Sequence, residues 1–219
     1  PLAYLNVALE HFRNNLYDGK KRIIYVKEGT VSPLCSYFSD RYLSAGIQLV
    51  SGVEVYGGYA RSLAGTDRSL RNPVVYRSVI DGKVGDKEFV YHCVVFKEVS
   101  DAVLDGFHII NGDATQTGNQ SSLIKHGGGI VMVDPQMGAV AGGTMTGNVI
   151  RNCIIENCVG EKGAALYAAP HKGADFSLTM SNCVINNNTS THSDAAPSAA
   201  VYFDMPGTAG NGSLNMDHQ

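Results

Sequence analysis

The stretch Val103-Leu104-Asp105-Gly106-Phe107-His108-Ile109-Ile110-Asn111 returns as Val149-Ile150-Arg151-Asn152-Cys153-Ile154-Ile155-Glu156-Asn157, and again as Thr179-Met180-Ser181-Asn182-Cys183-Val184-Ile185-Asn186-Asn187. The steps are 46 residues, from Gly106 to Asn152, and then 30, from Asn152 to Asn182. A second series runs Gly129-Ile130-Val131-Met132-Val133, then Ala164-Ala165-Leu166-Tyr167-Ala168, then Ala199-Ala200-Val201-Tyr202-Phe203, at 35 residues each time. Two strand-like segments per unit, repeating at this period, define a solenoid in which each unit buries its face against its neighbours. Side chains alternate along a strand, so Phe107, Cys153 and Cys183 form one expected inward column and Ile109, Ile155 and Ile185 another. Asn111, Asn157 and Asn187 then stack at the strand end, where an amide ladder accounts for the Asn enrichment without a ligand.

Working outward, Leu5, Ala8, Leu9, Phe12 and Leu16 lie on one helical face, with Gly19 as its expected C-cap. A helix there covers the open end of a stack and protects it from edge pairing. Ile23-Ile24-Tyr25-Val26-Lys27 reads as a strand. Between Gly46 and Phe96 lie short β-prone pieces, Val53 to Tyr56, Val74 to Tyr76, Ser78 to Ile80 and Cys93 to Phe96. No Asn-Gly or Asp-Gly turn joins them as hairpins, which favours stacked coils. The expected fold is all-β, a right-handed single-stranded parallel β-helix with an N-terminal capping α-helix. One domain spans 1–219, with the helix at 1–18, irregular coils at 20–100 and regular coils at 101–219. Ser213-Leu214-Asn215-Met216 repeats the form of Ser177-Leu178-Thr179-Met180, so the stack is expected to continue into further segments of a longer polypeptide.

Of the 219 residues, 44% are hydrophobic and 17% charged, which excludes a disordered chain. No long apolar run is present, so direct membrane insertion is not expected. The net charge of -3 arises from interspersed charges and offers no field for nucleic acid. The five cysteines, Cys35, Cys93, Cys153, Cys158 and Cys183, form no CxxC pair and read as small apolar residues.

The succession Gly52-Val53-Glu54-Val55-Tyr56-Gly57-Gly58-Tyr59-Ala60, Ile80-Asp81-Gly82, His92-Cys93-Val94-Val95, Leu104-Asp105-Gly106-Phe107-His108-Ile109 and Gly127-Gly128-Gly129-Ile130 resembles the right-handed β-helix repeat proteins of Bacteroidetes-type bacteria, relatives of the pectate-lyase-like superfamily. It is also similar to the repeats of chlamydial polymorphic membrane proteins. Later coils depart from the pattern, with Gly163-Ala164-Ala165-Leu166 and Ser198-Ala199-Ala200-Val201 in place of the triple glycine. The resemblance implies a secreted, cell-surface or outer-membrane protein, adhesin-like, with glycan or other surface proteins as partners.

Polysaccharide lyases and hydrolases on such a fold need acidic residues on neighbouring rungs, about 4.8 Å apart. The nearest approach to an acidic column is Asp134, Ala169 and Asp204, whose aspartates would sit roughly 9 to 10 Å apart, so they are weak metal candidates. Asp105 aligns with Arg151 and Ser181, which allows one exposed ion pair. His92, His108, His126 and His171 are scattered, and His108 is expected to face outward. Gly127-Gly128-Gly129 lacks the Lys-Ser/Thr of a phosphate loop and reads as close coil packing. Arg61, Arg68, Arg71 and Arg77, with Tyr56 and Tyr59, are the candidate ligand-binding residues, able to meet acidic sugars through guanidinium forks and ring stacking. No catalytic residue and no cofactor is assigned. The expected function is noncatalytic binding of glycan or protein, or rigid spacing. The alternative is a polysaccharide lyase or glycoside hydrolase acting on an acidic glycan, either in this chain or in coils beyond it that it supports as a scaffold.

Overall fold

Short apolar runs broken by glycine and asparagine cannot form long hairpins, and the backbone uses them as brief parallel strands. A computed structural model describes residues 5–14, 22–33, 46–62, 68–86, 88–115, 125–133, 144–170, 173–191, 199–204 and 212–217. Over these residues the chain is mostly strand, arranged in parallel sheets with one short α-helix.

Helix α1 (Leu5–Asn14) buries Leu5, Ala8 and Leu9 against the first strands. Leu5 and Leu9 join the main core, and burying a leucine stabilises the fold by about 1.5–3 kcal/mol. Asn6, also buried, donates to the Pro33 carbonyl at 2.8 Å and accepts from the Gln48 amide at 3.4 Å, tying the helix to the chain it covers. Leu16 and Gly19 lie outside the described residues.

The strands follow in successive passes. The first is β1 (Arg22–Lys27), β2 (Gly29–Val31) and β3 (Ile47–Gln48); the second is β4 (Val53–Tyr59), β5 (Ser78–Asp81) and β6 (Val94–Lys97). The third is β7 (Val103–Asp105), β8 (Phe107–Ile110) and β9 (Ile130–Val133). The fourth is β10 (Met145–Arg151), β11 (Ile154–Glu156), β12 (Val159–Gly160) and β13 (Leu166–Ala169). The fifth is β14 (Phe176–Ser181), β15 (Val184–Asn186), β16 (Thr189–Ser190) and β17 (Val201–Phe203), and β18 (Gly212–Asp217) comes last.

The first strand of every pass joins one sheet, ordered β1-β4-β7-β10-β14-β18. The second sheet is β2-β5-β8-β11-β15, the third is β3-β6-β9-β13-β17, and β12 pairs with β16. The registers Val103↔Val149, Val149↔Thr179, His108↔Ile154 and Ile154↔Val184 match the first repeat series residue for residue. Leu104, Ile150 and Met180 point into the core, as do Phe107 with Cys153 and Ile109 with Ile155. Cys183 and Ile185, nearer the end of the stack, are half-buried.

Three expectations are corrected. The second series steps by 36 residues rather than 35 between its first members: Ile130 pairs with Leu166 and Val133 with Ala169, although Leu166 to Val201 is 35 as read. Every residue of β9 and β13 is buried, so no polar alternation marks which face is which and the sequence does not fix the register. Val74 to Tyr76 is a turn rather than a strand. The Asn72 side chain accepts from the amides of Val74 and Val75 at 3.1 Å each, which folds the run back on itself and leaves Val74 76% exposed. Asn111, Asn157 and Asn187 are placed by backbone rather than by a mutual ladder. Each has a positive φ, between 51° and 62°, a conformation Asn tolerates better than other side chains.

The triple glycine does pack closely. A Cβ on Gly128 would strike the carbonyl oxygen of Val159, with the Gly112 oxygen at 2.6 Å. Neighbouring passes of the chain meet there backbone to backbone.

Candidate functional site

The outer face of the first sheet carries one continuous column. Register pairs Tyr25 with Tyr56, Tyr56 with Asp105, Asp105 with Arg151, Arg151 with Ser181 and Ser181 with Asp217. The alternation of β4 and β10 sends Val55 and Ile150 inward and so turns these neighbours outward.

Asp105 is not an exposed partner in a surface pair, as its alignment with Arg151 implies. It is 1% exposed. Its Oδ1 accepts from Arg71 Nη2 at 2.5 Å and Asn152 Nδ2 at 2.9 Å, and its Oδ2 from Arg151 Nε at 2.6 Å. Arg71 arrives from the segment that follows the short 3-10 turn Arg68–Leu70, and its Nε also donates to the Gly57 carbonyl at 2.5 Å. Gly106 makes room for it: φ is +79°, and a Cβ there would collide with the Arg71 guanidinium. A buried carboxylate with two guanidiniums and an amide is a satisfied charge rather than a poised base.

The two guanidiniums also lie against Tyr56, at 5.4 Å for Arg71 and 6.0 Å for Arg151 from the ring centre. Tyr25 stacks on Tyr56 at 6.3 Å between centroids. The Tyr56 hydroxyl donates to Glu54 at 2.7 Å; burial, reinforced by that carboxylate, pushes its pKa up to about 12. The Asp105 hydrogen bond holds Arg151 more firmly in its charged form, while 42% of that side chain remains open to solvent.

Around the corner, a groove of about 450 Å³ runs along the second sheet between the 73–77 turn and strands β8, β11 and β15. Arg77, His108, Cys183 and Val184 line it. His108 is not simply outward and solvated. Its Nε2 lies 2.8 Å from Glu156 Oε1 on the next rung, and both side chains are half-buried.

The predicted ligand-binding residues are therefore dispersed. Tyr56 and Arg71 meet in the column and Arg77 lies in the groove. Tyr59, 3% exposed, packs edge-on against Tyr25 at 5.2 Å between ring centres. Arg61 lines a separate hollow of about 520 Å³ beside α1 and β1, its amide donating to Glu28 at 2.8 Å. Arg68 opens the short 3-10 turn Arg68–Leu70. Tyr25 and Arg151 complete the column; the alignment of Arg151 with Asp105 was the signal for the one, whereas Tyr25 lies in a strand outside both repeat series and is paired with Tyr56 only by the structure.

On the third sheet, Asp204 accepts a hydrogen bond from the Tyr167 hydroxyl at 3.0 Å. Asp134 and His171 lie outside the described residues, and Ala169 is opposite Val133 rather than position 134, so the expected acidic column is out of register. Among the described residues no group of three or more His, Cys, Asp or Glu side chains is placed to hold a metal ion. His92 is buried and its Nδ1 donates to the Gly127 carbonyl at 2.9 Å; burial pushes its pKa down to about 4. His126 packs on the Tyr167 ring at 4.6 Å between centroids. No helix among the described residues is long and apolar enough to cross a membrane.

Comparison with protein-family models, with curated proteins and with solved structures finds no match to this chain.

Proposed function

We propose that the chain is a right-handed parallel β-helix that acts as a noncatalytic, adhesin-like binding stack of a secreted or cell-surface protein, taking an acidic glycan along the outer face of the first sheet. Support for the helical winding comes from the fixed rotation of the passes through three parallel sheets; right-handed crossovers are the rule for parallel strands. The observation that carries the binding reading is the column itself. The rings of Tyr25 and Tyr56 stack on adjacent rungs, and the open edge of the Arg151 guanidinium lies beside Tyr56. Stacked rings suit the apolar face of a sugar, and a guanidinium suits its carboxylate.

A second reading, cleavage of the same class of glycan, draws on the His108–Glu156 pair in the groove with Arg77. One experiment separates the two. The purified chain is run against acidic and neutral polysaccharides in affinity electrophoresis, while chain length is followed by viscosity. Retention by acidic chains without shortening is the expected result. Shortening that is lost in His108→Ala would favour cleavage, and absence of retention would remove the binding reading.

A further inference from the structure

Five cysteines without a CxxC motif read as filler, yet the fold places four of them, all free thiols, in two neighbouring pairs. Cys153 and Cys183 immediately precede β11 and β15, on neighbouring rungs. The Val184 amide donates to the Cys153 carbonyl at 2.9 Å, which sets residue 153 directly beside residue 183. Rungs of a parallel sheet lie about 4.8 Å apart, inside the window of about 4.4–6.8 Å between Cα atoms that a disulfide spans. Both residues border the groove of the second sheet, with Cys153 turned into the core and Cys183 half-buried.

We propose that Cys153 and Cys183 are a redox pair that closes an inter-rung disulfide by exchange with a small-molecule disulfide that reaches the half-buried Cys183.

The two sulfurs are chemically unlike. Cys153 is fully buried, and burial, together with the neighbouring Cys183 sulfur, keeps it a thiol. Cys183 is half-buried, and the neighbouring Cys153 thiol draws its pKa down and favours the thiolate. Cys183, the more exposed of the two, is therefore the attacking sulfur and Cys153 the resolving one. The Cys183 thiolate attacks one sulfur of the incoming disulfide, forming a mixed disulfide and releasing the other half as a thiolate. Cys153 then loses its proton to that leaving group or to water, and its sulfur attacks Cys183. The protein disulfide forms as the second half departs as a thiolate. Both cysteines are oxidised and one external disulfide is reduced to two thiols.

The second pair, Cys93 and Cys158, provides an internal comparison. These sulfurs are also neighbours, but both are fully buried in the core. An external disulfide reaches the first pair and not the second.

The test uses the intact folded chain. Reduced protein is incubated with oxidised glutathione, quenched with an alkylating agent in acid, digested without reduction and mapped by mass spectrometry. The expected result is a transient glutathione adduct on Cys183, followed by a Cys153–Cys183 cross-link, with Cys93 and Cys158 still alkylated after unfolding. In Cys153→Ser the adduct on Cys183 should persist. In Cys183→Ser both adduct and cross-link should disappear. Circular dichroism of each variant against the parent confirms that the fold is retained. A stable Cys183 adduct in the parent protein, a cross-link that forms only in denaturant, or oxidation of Cys93 with Cys158 at an equal rate would each overturn the proposal. The mapping does not depend on any glycan, so its outcome is separate from that of the binding reading.

Discussion

Along β14 of the first sheet burial alternates residue by residue, whereas along β13 of the third sheet all four residues are buried. The first sheet gives one face to the core and keeps the other for Tyr56, Arg71 and Arg151. The third gives one face, with Ile130, Met132, Leu166 and Ala168, to the main core. Its other face, with Val95, Val131, Val133, Tyr167 and Ala169, forms a second apolar cluster. The contrast separates two kinds of face: two apolar faces make the third sheet a structural layer, and the polar outer face of the first sheet is the one the proposed ligand would meet.

The largest expected effect tests the structural layer. Tyr167 fills the centre of the second cluster, stacks on Tyr202 at 6.1 Å and donates to Asp204. Tyr167→Ala should cost about 3–5 kcal/mol, the usual range for emptying a buried aromatic site, read as a fall in the midpoint of urea unfolding. A loss below about 1 kcal/mol, typical of a surface change, would show that the outer cluster adds little.

Acid should reach the third sheet next. His92 sits at the entry to β6 and holds Gly127, near the entry to β9, through a neutral imidazole. Its folded pKa, about 4, lies below its ordinary value of 6.5. Between these values the unfolded chain binds the extra proton, so stability is complete above about pH 6.5 and falls as the pH drops toward 4. The contribution is on the order of 3 kcal/mol. In His92→Phe the stability lost between pH 7 and pH 4 should shrink by that order, and an unchanged acid limb would assign it to carboxylates instead.

The same contrast explains what the sequence disclosed. Where one face is polar, as in Val103 to Asn111 and its two returns, period-two alternation fixed the register to the residue. Where both faces are apolar, Val131 and Ile130 are equivalent to a reader, and the alignment slipped by one position. The burial of Asp105 was hidden for another reason: Arg71 is 34 residues away and comes from an irregular segment with no repeat to align it. Val74 and Val75 show propensity overruled by one neighbour, since Asn72 captures both amides. Of the candidate site, Tyr56 and Arg71 were legible as residue types, but their partners Tyr25 and Arg151 became visible only as rungs of one column.

A smaller effect tests how that column is held. Asp105→Asn removes the charge between Arg71 and Arg151 but keeps the shape. Arg151 retains access to water, so the loss should stay near 2 kcal/mol, below the 3–5 kcal/mol of a fully buried broken pair. Chemical unfolding at two salt concentrations would check it, because a buried pair is screened much less than an exposed one. A loss that vanishes at high salt would return Asp105 to the surface role its alignment suggested.

The smallest expected stability change is the one that bears on function. Tyr56 is half-buried, and its ring touches Tyr25 and two guanidiniums rather than the core. Tyr56→Ala should therefore cost about 1 kcal/mol or less, because an exposed flank still offers water to the groups it uncovers. Glycan retention should fall much further, by roughly ten-fold, since one stacking ring lost is worth about 1–1.5 kcal/mol of binding. The double variant Tyr25→Ala/Tyr56→Ala sharpens the point: two rings that form one platform should lose less together than the sum of their separate losses. Strict additivity of the two would mean that the rings act apart, and the column would then be a consequence of register with no shared surface for a sugar to occupy.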